Sequence, residues 1–401
     1  MSVPHDDLAE GRARRSRAFV TIGAMVGLVA LLPLAYAWLS DGREGSTTVA
    51  PSARPASPSA DDAWSPPVAD LHGRLVFTTF ETAGSPGGEQ QIWVLDLSTG
   101  ALSQGPLVPT AEELWVADPA RRWLVLVTAP MRAEGTAYLL TGLTPGAEPV
   151  ELASGDLLSL SADGSGLFVG RSERTGRTGP ACERHRYTLS RVAVESGARV
   201  TLAEGRLPCG HVVSGTVLGN APMISVVHRG RPEVRLLRPR DPAVLFRGLA
   251  HLSSSPRGTV LLVEPERGVL RGLGVWPRTP TGPALVWPGA GAPRPLLSGE
   301  RLYAQRVVAW SPDGGRVVVG GIVGDERGLW LVYVPAGTFE PLLPPNSFPL
   351  RSAFSGAAFD DRGRAFGGAP GTLVVATEEG VVPIPLPPDA PSPVGPVAWL
   401  P

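Results

Sequence analysis

Lysine is absent from this sequence: all 36 basic residues are arginine, set against 37 acidic ones for a net charge of -1. The charges are interspersed, so the chain has neither the basic stripe that nucleic acid requires nor an acidic tail. Exclusive use of arginine fits the coding bias of a GC-rich genome better than a recognition surface, because phosphate sites need clustered guanidinium groups and the arginines are dispersed along the sequence. Cysteine is nearly absent, at two residues. No G-x-S-x-G elbow, Walker loop or H-E-x-x-H helix occurs, which removes the common signatures of hydrolases, nucleotide-binding enzymes and zinc proteases. Runs of helix formers are missing beyond the N-terminus. What remains is 49 Gly, 43 Pro and 43% hydrophobic residues, the composition of many short strands joined by turns, and the expected class is all-β.

The N-terminus carries an address. Arg12, Arg14, Arg15 and Arg17 precede an uncharged apolar stretch from Ala18 to Ser40, long enough to cross a bilayer of ~30 Å as one helix. The positive-inside rule puts residues 1–17 in the cytoplasm and everything after residue 40 outside. A signal peptide cleaved after Ala37 is the alternative, since Ala35-Tyr36-Ala37 fits a small-x-small site. An anchor is favoured because the apolar segment exceeds the about 7 to 15 residues of an ordinary signal core. Residues 41–70 are rich in Pro, Ser, Ala and Thr, with too little apolar surface to offset ordering, and read as a disordered linker with a reach on the order of 30 Å.

Residues 71–401 repeat. AWSPDGGRVVVGG (309–321) has an apolar strand, a turn and a second apolar strand, and the same grammar recurs at 114–127, 158–170, 249–263 and 356–368. Pro presets the first central dihedral of such a turn, Asp or Ser bonds to nearby backbone amides, and Gly takes the left-handed position. A second strand pair follows each copy, as in GLWLVYVPAGTFEPLL (328–343). Four-strand units at roughly 40 to 55 residue spacing are the signature of β-propeller blades. Units begin near residues 112, 157, 211, 249, 305 and 354, while LHGRLVFTTF (71–80) starts at a second strand with no first strand ahead of it. VGPVAWLP (394–401) matches RVVAWSP (306–312), so the C-terminal strand is expected to complete the first blade and close the ring. The count is seven blades, or six if the weak unit at 211–248 is an insertion.

The W-S-P-D-G-G-R tract at 310–316, followed by a short strand and Leu329-Trp330-Leu331-Val332, resembles the repeat of TolB-like bacterial propellers, relatives of the WD-repeat class. The resemblance implies a propeller over 71–401. The α/β domain that precedes the propeller in TolB has no counterpart here, so the role of TolB in its own envelope system does not follow.

Candidate chemistry is sparse. Cys182 lies in an expected second-to-third-strand loop and Cys209 in a blade-to-blade connection, on one face of the propeller. Outside the cytoplasm this pair reads as a disulfide worth roughly 3 to 4 kcal/mol in the chain-entropy model. The rival is a zinc site of Cys182, His185, Cys209 and His211, spaced more tightly than common zinc motifs. His211, His228 and His251 read as structural residues of strands. Asp163, Asp313, Asp360 and Asp361 read as turn caps rather than acid–base pairs or calcium ligands. Trp93, Trp115, Trp310, Trp330 and Trp399 suit packing between blades, whereas Trp276 and Trp287, in the proline-rich loop 276–288, form a possible exposed binding rim. No cofactor or metal is implied. The expectation is a monomeric, non-enzymatic, membrane-tethered propeller that binds an envelope protein or peptide. A lactonase- or hydrolase-like enzyme and a cell-wall carbohydrate binder stand as alternatives.

Overall fold

The computed structural model describes residues 64–401 apart from 65, 69, 81–88, 129–134, 162, 180–181, 209, 219–220, 229–230, 238–242, 248–250, 264–284, 288–292, 298–301, 325, 344–355, 389 and 394–395. The expected membrane segment at 18–40 lies outside these residues. Among those described, every regular element is a strand, and no helix is long and apolar enough to cross a membrane.

The strands form seven four-stranded antiparallel sheets among the described residues. The first sheet contains β1 (Arg74–Phe80), β2 (Glu89–Asp96) and β3 (Leu102–Pro109). The second is β4 (Glu113–Asp118), β5 (Trp123–Thr128), β6 (Gly135–Leu140) and β7 (Val150–Gly155), and the third β8 (Leu157–Leu160), β9 (Gly166–Gly179), β10 (Cys182–Ala193) and β11 (Arg199–Pro208). The fourth holds β12 (Gly210–Leu218), β13 (Ala221–His228), β14 (Arg231–Leu236) and β15 (Ala243–Phe246), and the fifth β16 (His251–Ser254), β17 (Val260–Val263), β18 (Leu285–Trp287) and β19 (Arg294–Pro295). The sixth comprises β20 (Leu302–Trp310), β21 (Arg316–Val323), β22 (Glu326–Tyr333) and β23 (Thr338–Pro341), and the seventh β24 (Gly356–Phe359), β25 (Ala365–Ala369), β26 (Thr372–Thr377) and β27 (Gly380–Pro383). The last strand, β28 (Val397–Leu400), returns to the first sheet and pairs with β1, from Arg74 opposite Leu400 to Phe77 opposite Val397. Six sheets run in chain order from their first strand outward and the remaining one runs β28-β1-β2-β3, and first strands of neighbouring sheets touch, β24 against β28 and β28 against β4 among them.

Burial explains the arrangement. Each sheet offers two apolar faces, and only another sheet can cover them. Leu75, Phe77 and Trp399 of the first sheet share one cluster with Phe366 and Val375 of the seventh. Val76, Ile92 and Leu400, on the opposite face of the first sheet, join Leu124 and Leu126 of the second. Alternation along one strand thus divides its side chains between two neighbours, and strands buried on both faces read as nearly continuous apolar runs. Hydroxyls reinforce the seams between first strands: Ser214 Oγ accepts from the Leu252 amide at 3.0 Å, Thr216 and Ser254 hydroxyls lie 3.0 Å apart, and the Trp310 indole donates to Ser253 Oγ at 3.0 Å.

The repeated turn is the most regular local feature. In four copies the residue after the first strand, Ser161, Ser255, Ser311 or Asp360, donates its amide back across the turn and accepts at its carbonyl from Gly164, Gly258, Gly314 or Gly363. These glycines sit at φ +69°, +81°, +66° and +78°, the left-handed region that L side chains avoid. Gly164 also has no room for a side chain, since a Cβ there would fall 2.0 Å from the Ala117 carbonyl of the second sheet. The copy between β4 and β5 differs: Arg122 occupies the left-handed position at φ 58°, where an L residue costs roughly 1–2 kcal/mol. Arg122→Gly is therefore expected to stabilise the protein by about 0.5–1 kcal/mol after allowing for the freer unfolded chain, read as a higher denaturation midpoint at unchanged slope.

The aspartates of these turns cap backbone. Asp313 accepts from Ser311 Oγ at 2.5 Å and the Gly315 amide at 3.0 Å, and Asp163 accepts from Ser161 Oγ at 2.6 Å and the Ser165 amide at 3.1 Å. The Ser311 and Ser161 hydroxyls are the main reason that both carboxyls titrate below the ordinary carboxylate range. A depressed folded-state pKa contributes stability that is complete above the unfolded value of about 3.9 and is lost as pH falls toward the folded one. Melting temperature should accordingly drop as pH is lowered through that interval, and Asp163→Asn with Asp313→Asn should flatten the drop. Asp361 departs from the expected capping role; its Oδ1 lies 3.1 Å from His72 Nε2.

Two boundaries differ from the sequence reading. The folded unit begins at Trp64, inside the stretch read as linker. Trp64 and Val68 pack against the core of the first sheet, and the Trp64 indole donates to the Leu97 carbonyl at 3.4 Å. Of residues 171–186, read as a loop, 171–179 instead extend β9 and 182–186 extend β10, and the two stretches are paired.

Candidate functional site

First strands line the axis of a propeller, so their sequences decide what the axis can do. Here they are ELWVAD, LLSL, GHVVSGTVL, HLSS, LYAQRVVAW, GAAF and VAWL: mainly aliphatic, glycine and hydroxyl residues. Glu113 and Arg306 stand out. Glu113 opens β4 and Arg306 lies in β20, on sheets separated around the axis by β28 and β24, and the guanidinium is near enough for its charge to act on the carboxyl.

Local structure explains why each is where it is. The β20–β21 ladder slips between Ala304 and Arg306, where Gln305 is the extra residue, and such a bulge re-aims the side chain beside it. The residue opposite Arg306 is Gly320, and a Cβ there would meet Arg306 Cγ at 3.1 Å and Nε at 3.2 Å. Bulge and glycine together make room for the guanidinium. Glu113 shares one face of β4 with Trp115, whose side chain hydrogen-bonds to the carboxyl.

The Glu113 carboxyl is deeply enclosed by protein, and the residue as a whole is partly buried. Desolvation is the largest influence and raises its pKa, the positive charge of Arg306 and the Trp115 hydrogen bond lower it, and Glu112 raises it again. The net shift is upward. The start of β4 therefore brings a carboxyl held toward its protonated form, a second carboxyl at Glu112, a guanidinium and an indole within reach of one another, a set that can orient a polar or charged group. Among the described residues no three of His, Cys, Asp and Glu come together as a metal site.

The other predicted positions are distributed as follows. Cys182 begins β10, the third strand of its sheet, while Cys209, in the connection from β11 to β12, lies outside the described residues. The ladder between them is described as far as Arg184 opposite Pro208. His185 of the rival zinc set has Nδ1 3.2 Å from Ser172 Oγ. Trp276 lies outside the described residues, and Trp287 is not in a loop: it ends β18, opposite Val260. The tryptophans expected to pack between blades do so at Trp330, Trp399 and Trp93. Trp115 packs as well but also serves the Glu113 carboxyl. Neither Glu113 nor Arg306 was singled out from the sequence. The signal available was a charged pair, Glu112-Glu113, directly before an apolar first strand.

No family model matches the sequence, and no curated protein matches it significantly. Solved structures do match. Pyrococcus horikoshii acylaminoacyl peptidase is 12% identical over 78% of this chain and 50% of its own, with a TM-score of 0.50, so the chain spans half the length of that protein. The β-propeller domain of the Trilobed protease from Pyrococcus furiosus is 12% identical over 80% of this chain and 97% of its own, with a TM-score of 0.49. TolB from Acinetobacter baumannii is 14% identical over 82% and 83%, with a TM-score of 0.41. At such identities the likeness speaks to architecture alone. By fold the chain is a β-propeller of four-stranded antiparallel blades.

Proposed function

We propose that this protein is a non-enzymatic propeller, tethered outside the cytoplasmic membrane by residues 18–40, that binds a protein or peptide of the envelope. The reading rests on the axis, whose first strands are built mainly from aliphatic, glycine and hydroxyl residues. Such walls suit binding better than acid–base or metal chemistry, and propellers place their variable loops on the faces. The seven sheets support seven blades in one ring closed by β28. The test is a photocrosslinking residue incorporated at Glu112, which directly precedes β4, in intact cells. One defined protein adduct is expected; absence of any adduct, together with catalysis by the purified protein, overturns the reading.

An enzyme is the second reading, favoured by the raised pKa of Glu113 beside Arg306, a setting that suits a general acid. It predicts hydrolysis of a sugar lactone or an acylated peptide by the purified protein, abolished in Glu113→Gln.

A Cys182–Cys209 disulfide belongs to the same proposal. The ladder that ends with Arg184 opposite Pro208 brings the chain to within two residues of each cysteine. In the exported protein both thiols should resist a maleimide until a reductant is added.

A further inference from the structure

The third sheet is taller than its neighbours. Its first strand, β8, pairs only with Leu167–Gly170 of β9, but β9 continues to Gly179, and β10 and β11 stay paired beside it as far as Arg184 and Pro208. On one face of this extension Leu207 and Tyr187 pack against Ile224 and Val226 of the fourth sheet. The other face overhangs the second sheet, whose strands are shorter, and Arg171 marks the step by donating to the Ser154 carbonyl at 3.0 Å and hydroxyl at 2.8 Å.

Register sets what this overhanging face displays. Arg186 lies opposite Glu173 on β9 and Arg206 on β11, and Thr188 lies opposite Arg171 and Glu204. Arg184, two residues along, shares the face. All four arginines and both glutamates are exposed. Arginines dispersed in the sequence thus converge through pairing, on a chain whose net charge is -1. Arg186 and Arg206 stand directly across from one another, an arrangement that disfavours the sheet; the 2.9 Å ion pair of Arg186 with Glu204 offsets only one of the two charges. A local conflict kept in an otherwise consistent fold points to function.

We propose that this face docks an extended polypeptide segment with acidic residues at alternate positions. The proposal rests on the protein-binding reading above and names its surface and partner chemistry. Arg184 and Arg186 are separated by about 6.6 Å along the strand, and carboxylates at alternate residues of an extended peptide repeat at that interval. Guanidinium forks match carboxylates bidentately. A continuous polyanion or an anionic bilayer fits less well, because Glu173 and Glu204 interrupt the positive field, whereas a peptide can meet them with its own polar or basic residues.

The test uses the full chain in detergent micelles and a fluorescein-labelled heptapeptide of alternating glutamate and threonine, followed by anisotropy at low salt. Saturable binding that weakens with salt is expected, with at least a tenfold loss in Arg186→Gln/Arg206→Gln, which removes the opposed like charges and leaves the sheet folded. The charge-reversed Arg186→Glu/Arg206→Glu should instead bind the alternating lysine–threonine peptide. No binding by the wild-type protein, equal binding by the variant, or tighter binding of a dT oligonucleotide or phosphatidylserine vesicles overturns the proposal. If the heptapeptide fails while the crosslinker at Glu112 still captures one defined protein, this surface is wrong and the protein-binding reading stands.

Discussion

Deleting residues 396–401 is expected to leave a chain that no longer melts cooperatively. Those residues contain β28, the first strand of the first sheet, with Val397, Ala398, Trp399 and Leu400 exposed by only 2%, 1%, 6% and 0%. Trp399 alone packs against Leu75, Phe77 and the seventh sheet, and its indole donates to the His72 carbonyl at 3.0 Å. Trp399→Ala should cost roughly 3–5 kcal/mol and a buried leucine a further 2–5, against a typical total stability of about 5–15 kcal/mol. The deletion also strips β1 of its ladder partner and exposes an edge that invites aggregation. Loss of the calorimetric transition, with recovery in the insoluble fraction, is the predicted result. A soluble truncated protein with a sharp melt would show that the ring closes elsewhere.

Asp360→Ala should destabilise by about 3 kcal/mol or more. Asp360 is fully buried; its Oδ1 accepts from the Arg364 amide and its Oδ2 from Arg364 Nε, both at 2.6 Å. Arg364 reaches on to the Asp70 carbonyl at 3.1 Å, so the pair clasps the turn of the seventh sheet to the chain that enters the first. Removing one member strands a guanidinium that is only 17% exposed, and leaving such a partner uncompensated costs roughly 3–5 kcal/mol. Asp360→Asn keeps an acceptor and should lose about half as much. Urea denaturation of the two variants separates the loss of charge from the loss of the cap.

Which features could be read in the sequence follows from how local their physics is. The turn from Ser311 to Gly314 is specified by adjacent residues, and so its copies could be aligned and used to find VAWLP at the far end as the missing first strand. The long β9–β10 pair was misread because residues 171–179 consist of arginine, glutamate, serine, threonine and glycine: with no apolar residue on either face there is no period to reveal a strand. Glu113 and Arg306 escaped notice for another reason. They lie nearly two hundred residues apart in sequence and are brought near only by the ring, and the bulge at Gln305 beside Arg306 has no signature in a single strand. Trp64 was assigned to the linker because its neighbours are Pro, Ser and Asp, although its own contacts are with Leu97 and Gly100.

Pairing of Arg74 with Leu400 joins almost the two ends of the folded chain, and this sets the order of events during synthesis. The other six sheets of the described residues can be completed as their residues emerge, but the first must wait for β28 to leave the ribosome. Until then the inner edge of β1 is open, and the contacts of greatest sequence separation form last, the kind that slow folding most. Emergence of β28, rather than growth of any one of the other sheets, is the moment at which the first sheet becomes whole.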